Sequence, residues 1–101
     1  MTFEQVFTIF KDYMELDTEL EIVETKKGYL RIIWSDGLPY CEDGYLCRTP
    51  EELFDRLLED CQSYHEIHLT KGRRELTPED TEKAKELCRP YLEKRKEAEG
   101  T

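Results

Sequence analysis

The chain reads as an α+β domain, with an N-terminal helix, a small antiparallel sheet of two to four strands and two C-terminal helices packed on one sheet face. Three observations predict this. Apolar residues recur at three- and four-residue steps in residues 3–14, 53–68 and 84–92, they alternate with a period of two between residues 19 and 34, and a Thr-Pro-Glu-acid signal opens each of the two later helical stretches.

The first helix is announced by Thr2 and Gln5, which have the spacing of a capping box, each side chain satisfying an otherwise unpaired backbone N–H. Phe3, Val6, Phe7, Phe10, Tyr13 and Met14 then form one buried stripe, and the helix is expected to stop near Leu16 or Asp17. Residues 19–34 read as a hairpin turning at Lys26-Lys27-Gly28. A three-residue loop with Gly28 in the left-handed region pairs Thr25 with Tyr29, so that Ile22 faces Ile32 and Leu20 faces Trp34. The other face then carries Glu19, Glu21, Val23, Tyr29, Arg31 and Ile33. In residues 38–47, Asp43-Gly44 has the form of a short hairpin turn flanked by Tyr40, Cys41, Tyr45 and Leu46, which predicts one or two short strands with Pro39 confining them to an edge.

Thr49-Pro50-Glu51-Glu52 supplies an N-cap, a proline at the first helical position and early acids that suit the helix dipole. The stripe of this second helix is Leu53, Phe54, Leu57, Leu58, Cys61, Tyr64 and His68, and it is expected to end before Gly72. Thr77-Pro78-Glu79-Asp80 repeats the start signal for a third helix with Ala84, Leu87, Cys88, Tyr91 and Leu92 on its apolar side. Pro90 removes a backbone donor and crowds the preceding turn, so a kink or break is expected between Leu87 and Tyr91. The charged residues 93–101 are expected to fray.

At 101 residues and 38% hydrophobic content the chain has room for one core, so residues 1–101 are read as a single domain. The net charge of −9 argues against direct binding to nucleic acid or anionic membrane, both of which are held through Lys and Arg. The acid is concentrated in residues 1–66, which carry 16 acidic and 6 basic side chains. Cys41, Cys47, Cys61 and Cys88 lie in a chain without the pattern of a secretory signal after Met1, which predicts reduced thiols in the cytoplasm.

Three constellations bear on chemistry. Cys61, His65 and His68 lie along one side of the second helix, and thiolate and imidazole are the usual zinc ligands, with Cys41 or Cys47 available to complete four-coordination. The same positions also continue an apolar stripe in which a cysteine is a small hydrophobe. The string His65-Glu66-Ile67-His68 is one residue too short for the helical metalloprotease motif. Cys47, just ahead of a helix start, is the one position that hints at an activated thiol, and it is read as an edge-strand thiol of no consequence. No glycine-rich phosphate loop and no serine elbow occurs in the chain.

The expected function is therefore a non-catalytic accessory module that binds a protein partner, possessing no cofactor. Its candidate binding residues are Glu19, Glu21, Tyr29, Arg31, Ile33, Glu52, Asp55 and Glu59, drawn from the mixed sheet face and an acidic helix surface suited to a basic partner. A small zinc-binding domain and an acidic nucleic-acid mimic that blocks a basic groove are the alternatives. A homodimer is expected if Tyr64 or Tyr91 stands exposed beside Leu92. In the order of its elements and its acidic surface the chain is similar to some small phage anti-CRISPR proteins that act as nucleic-acid mimics. That resemblance is of architecture, shares no residue motif, and carries over no site.

Overall fold

A computed structural model describes residues 1–100. The architecture is α+β, running α1 (Phe3–Ile9), α2 (Lys11–Leu16), β1 (Leu20–Thr25), β2 (Gly28–Trp34), β3 (Cys41–Cys47), α3 (Pro50–Thr70) and α4 (Pro78–Gly100). The contacts divide into two compact units, residues 1–54 and the residues from Asp55 on, and α3 passes from the first into the second.

In the first unit the capping box forms as its spacing predicts: Thr2 N donates to Gln5 Oε1 at 2.8 Å and Gln5 N donates to Thr2 Oγ1 at 3.1 Å. The expected single helix is two, because the backbone leaves helical geometry at Phe10 (φ −99°, ψ 13°) and restarts at Lys11. The break still leaves Val6, Ile9, Phe10 and Tyr13 buried together with Leu20, Cys47, Leu53 and Phe54. Phe10 and Phe54 meet edge to face at 5.1 Å. Each such ring or aliphatic side chain taken from water stabilises the fold by roughly 1.5–3 kcal/mol. Tyr13 buries its ring and donates its hydroxyl to Asp17 Oδ2 at 2.7 Å, so the phenol is not left without a partner.

The sheet is antiparallel in the order β1-β2-β3. Its first hairpin differs from the expected register by one residue: the loop is Lys26-Lys27 alone and Thr25 pairs with Gly28. The Thr25 hydroxyl clasps the turn, donating to the Gly28 carbonyl at 3.0 Å and accepting from Lys27 N at 3.1 Å. Gly28 (φ +140°) is held in the strand because any Cβ there would run into the carbonyl oxygen of Cys47. A one-residue slip exchanges faces. Leu20 and Ile22 therefore share a face with Tyr29, Arg31, Ile33, Tyr45 and Cys47, while Leu30, Ile32 and Trp34 share the other with Glu21, Val23 and Leu46.

Asp43-Gly44 is not a turn. It lies in the middle of β3, opposite Ile33 and Ile32, and Gly44 has no positive φ. The chain reverses instead over Ser35–Tyr40, where Gly37 adopts φ +69°, Leu38 N donates to the Ser35 carbonyl at 3.1 Å and Ser35 N donates to the Tyr40 carbonyl at 3.1 Å. A bulge between Ile33 and Trp34 absorbs the irregularity of this longer connection.

α3 starts on Thr49, whose hydroxyl accepts from Glu52 N at 3.2 Å while Glu52 reaches back to Arg48 N at 3.0 Å. It ends where Lys71 (φ 56°) and Gly72 (φ 65°) turn left-handed in succession. α4 opens on a second reciprocal cap, Asp80 N to Thr77 Oγ1 at 3.2 Å and Thr77 N to Asp80 Oδ2 at 3.0 Å. It continues unbroken past Pro90 to Gly100, through the segment expected to fray, with Arg95 bridging Glu99 at 2.8 Å and Asp55 at 3.4 Å. In the second unit Leu57, Cys61, Ala84, Cys88 and Tyr91 are buried. Among the described residues no helix is long and apolar enough to cross a membrane.

Candidate functional site

The two faces of the sheet are unequal. On the face toward α1, Leu20, Arg31 and Cys47 are buried, and the Tyr29 ring lies 4.7 Å from Phe3 and 5.0 Å from Phe7. Burial, followed by the charge of Glu24 and a hydrogen bond to it, raises the Tyr29 pKa. Arg31, 5% exposed, donates Nη1 to Asp43 Oδ2 at 2.7 Å. On the opposite face Val23, Leu30, Ile32, Trp34 and Leu46 are half-buried, and not one of them is buried. The Trp34 indole N–H donates to Glu21 Oε1 at 2.9 Å, which tethers the polar edge of the ring.

The residues singled out from the sequence are distributed accordingly. Glu19 and Glu21 are exposed at the start of β1, whereas Tyr29 and Arg31 belong to the covered face and Ile33 is half-buried beside them. Glu52 is engaged with the backbone of Arg48, Asp55 with Arg95, and Glu59 with Arg56 at 3.5 Å. The face that remains half-open carries Leu30, Ile32 and Trp34 of β2, of which the expected register had put Ile32 and Trp34 on one face with Leu20 and Ile22. Only the pairing of Thr25 with Gly28 distinguishes the two assignments, and no residue pattern within β1 or β2 encodes it.

The second unit brings a different set together. Cys61 and His65 stand one turn apart on α3, and Cys88 reaches them from α4, so that the two sulfurs and an imidazole nitrogen all lie within 4.8 Å of one another. Cys61 and Cys88 are buried and His65 is half-buried. Both thiols are free, and hydrogen bonding from Cys61 lowers the Cys88 pKa, against burial and the charge of Glu66, which raise it. Burial, with the charge of His68, lowers the His65 pKa and favours the neutral imidazole. His68 stays apart from this group: its ring stacks on Tyr64 at 4.2 Å and its Nδ1 lies 3.1 Å from the Tyr64 carbonyl oxygen. Neither hairpin cysteine joins it among the described residues; Cys41 is exposed on β3, and the buried Cys47 thiol donates to the Tyr45 carbonyl at 3.9 Å.

Cys88 carried no signal of its own in the sequence beyond being a cysteine on an apolar helix face. Tyr91 is buried and Tyr64 half-buried, so neither forms the exposed tyrosine patch on which self-association was premised, although Leu92 is exposed. No family model, no curated protein and no solved structure matches the chain.

Proposed function

We propose that this chain is a non-catalytic accessory module of the cytoplasm that binds a protein partner through the outer face of its three-stranded sheet. The observation that carries the reading is the half-open apolar surface of Val23, Leu30, Ile32, Trp34 and Leu46, set against the buried side chains of the opposite face. A tryptophan held in place by one rim hydrogen bond presents a large contact area at little cost in conformational entropy, which is why such residues anchor protein interfaces. The edge strands contribute exposed Glu21 and Glu42, so a partner with an apolar centre and basic flanks fits the surface best.

Capture from native lysate with the wild-type chain and with Ile32→Lys and Trp34→Ala variants tests this. Circular dichroism first establishes that the variants fold. The expected result is a partner retained by the wild type at moderate salt, weakened on the order of 10-fold or more by either substitution, and weakened less by Glu51→Gln on α3. Equal capture by the wild type and both sheet variants removes the outer face as the binding surface.

A further inference from the structure

We propose that Cys61, His65 and Cys88 form a zinc site in the α3–α4 pair, with the fourth coordination position taken by water or by a donor from outside the chain. The inference stands on the second unit alone and is independent of the sheet surface. Two sulfurs and an imidazole are the donor set that selects zinc over the hard cations, which take oxygen. Two donors come from one helix at a spacing of four, the third from the antiparallel neighbour, and all three donor atoms are already within 4.8 Å of one another.

Donors on a tetrahedral zinc stand about 3.5–3.8 Å apart, given Zn–S near 2.3 Å and Zn–N near 2.0–2.1 Å. Closing the group from within 4.8 Å to that spacing asks for about 1 Å of adjustment. The helix pair is pinned on both sides of the cluster, by Thr81 Oγ1 to Glu66 Oε2 at 3.3 Å on one side and Arg95 Nη1 to Asp55 Oδ1 at 3.4 Å on the other. The half-buried His65 marks the side from which an ion enters, since Cys61 and Cys88 are closed to solvent. An ordinary core offers an alternative use for the same thiols, and the two sulfurs are near enough that oxidation to a disulfide competes with metal.

The test uses the full chain in a phosphine reductant, titrated with Zn²⁺ and separately with Co²⁺. One zinc per chain is expected, and cobalt is expected to give the intense near-ultraviolet bands of thiolate ligation. His65→Ala and Cys88→Ser are each expected to weaken zinc binding on the order of 100-fold or more, because loss of a direct ligand exceeds the 10- to 100-fold typical of outer-shell partners. His68→Ala and Cys41→Ser are expected to leave it unchanged. His65 is only half-buried, so its alanine variant stays informative even if the cysteine variant unfolds. No zinc uptake by the reduced chain, a cobalt spectrum without thiolate bands, or undiminished binding by His65→Ala overturns the site. So does a chain that links Cys61 to Cys88 on exposure to air while never taking metal when reduced.

Discussion

Arg31 and Asp43 sit diagonally across β2 and β3 on the covered face of the sheet, the guanidinium buried and the carboxylate largely exposed, 2.7 Å apart. A cation in that position has given up water for the carboxylate, so the arrangement is sensitive to which partner is removed. Asp43→Ala is expected to destabilise the fold by about 1–3 kcal/mol, the cost of leaving a buried charged donor poorly satisfied. Arg31→Met made together with Asp43→Ala is expected to recover much of that loss, because it removes the buried charge as well as its partner. Denaturant titration of the four chains in a double-mutant cycle checks both statements.

Gly28 combines φ +140° with a Cβ direction aimed at the Cys47 carbonyl oxygen and, at 3.1 Å, the Arg48 Cα. Both neighbours are backbone and cannot rotate aside. Gly28→Ala is expected to cost about 1–3 kcal/mol from strain and the forced separation of β2 from the end of β3. Thermal unfolding measures the cost, and a variant as stable as the parent would show that the hairpin has another low-energy register.

Asp80 accepts from Arg74 at 2.6 and 2.9 Å and from the Thr77 hydroxyl at 2.9 Å, and these bonds hold its carboxyl well below the usual carboxylate range. The folded value lies under the unfolded one of about 3.9, so the stabilisation is complete above about pH 5 and is lost as the pH falls through 4 toward the folded value. Asp80→Asn is accordingly expected to melt earlier than the parent at pH 7, with the gap narrowing as the pH drops below about 4. Paired melts at pH 7, 5, 4 and 3 test it; a gap that does not change over this range would separate the effect from ionisation.

Pro90 is exposed and interior to α4, where the Glu86 carbonyl lacks the N–H it would otherwise accept. The helix tolerates this because Cys88 and Tyr91 are buried on either side of the defect and Arg95 ties the following turns to Asp55. Pro90→Ala is expected to raise stability by about 1–3 kcal/mol, read as an increase in denaturation midpoint at constant slope.

Helix starts and the buried face of α3 were legible in the sequence because both are local, whereas Leu87 and Leu92, expected on the apolar side of the last helix, are exposed. Thr2 with Gln5, Thr49 with Glu52 and Thr77 with Asp80 need only one turn of chain to close their caps, and each one closes. The stripe of Leu53, Phe54, Leu57 and Cys61 needs only the helical period, and all four are fully buried. The strand content of residues 19–34 was legible on the same ground. Asp43-Gly44 misled because a favourable turn dipeptide states what a segment tolerates, and here pairing with Ile33 and Ile32 outweighs that preference.

What the sequence determined by itself was therefore the class of the fold, the starts of the helices and the buried stripe of α3, since these follow from backbone hydrogen bonds and periodicity within one element; the far end of α4 and the exposure of Leu87 and Leu92 did not follow. Tertiary structure alone decided which face of the sheet stays half-open and which third side chain stands beside Cys61 and His65. The first depends on the hairpin register, in which Thr25 pairs with Gly28 and Ile32 and Trp34 share the face opposite Leu20 and Ile22. The second depends on how α4 lies along α3: helical spacing offers His68 as readily as His65, and only the packing of the second helix puts Cys88 at the cluster and leaves His68 on Tyr64. The second is a contact between residues distant in the chain, and no local pattern of residues specifies such a contact before the elements have packed.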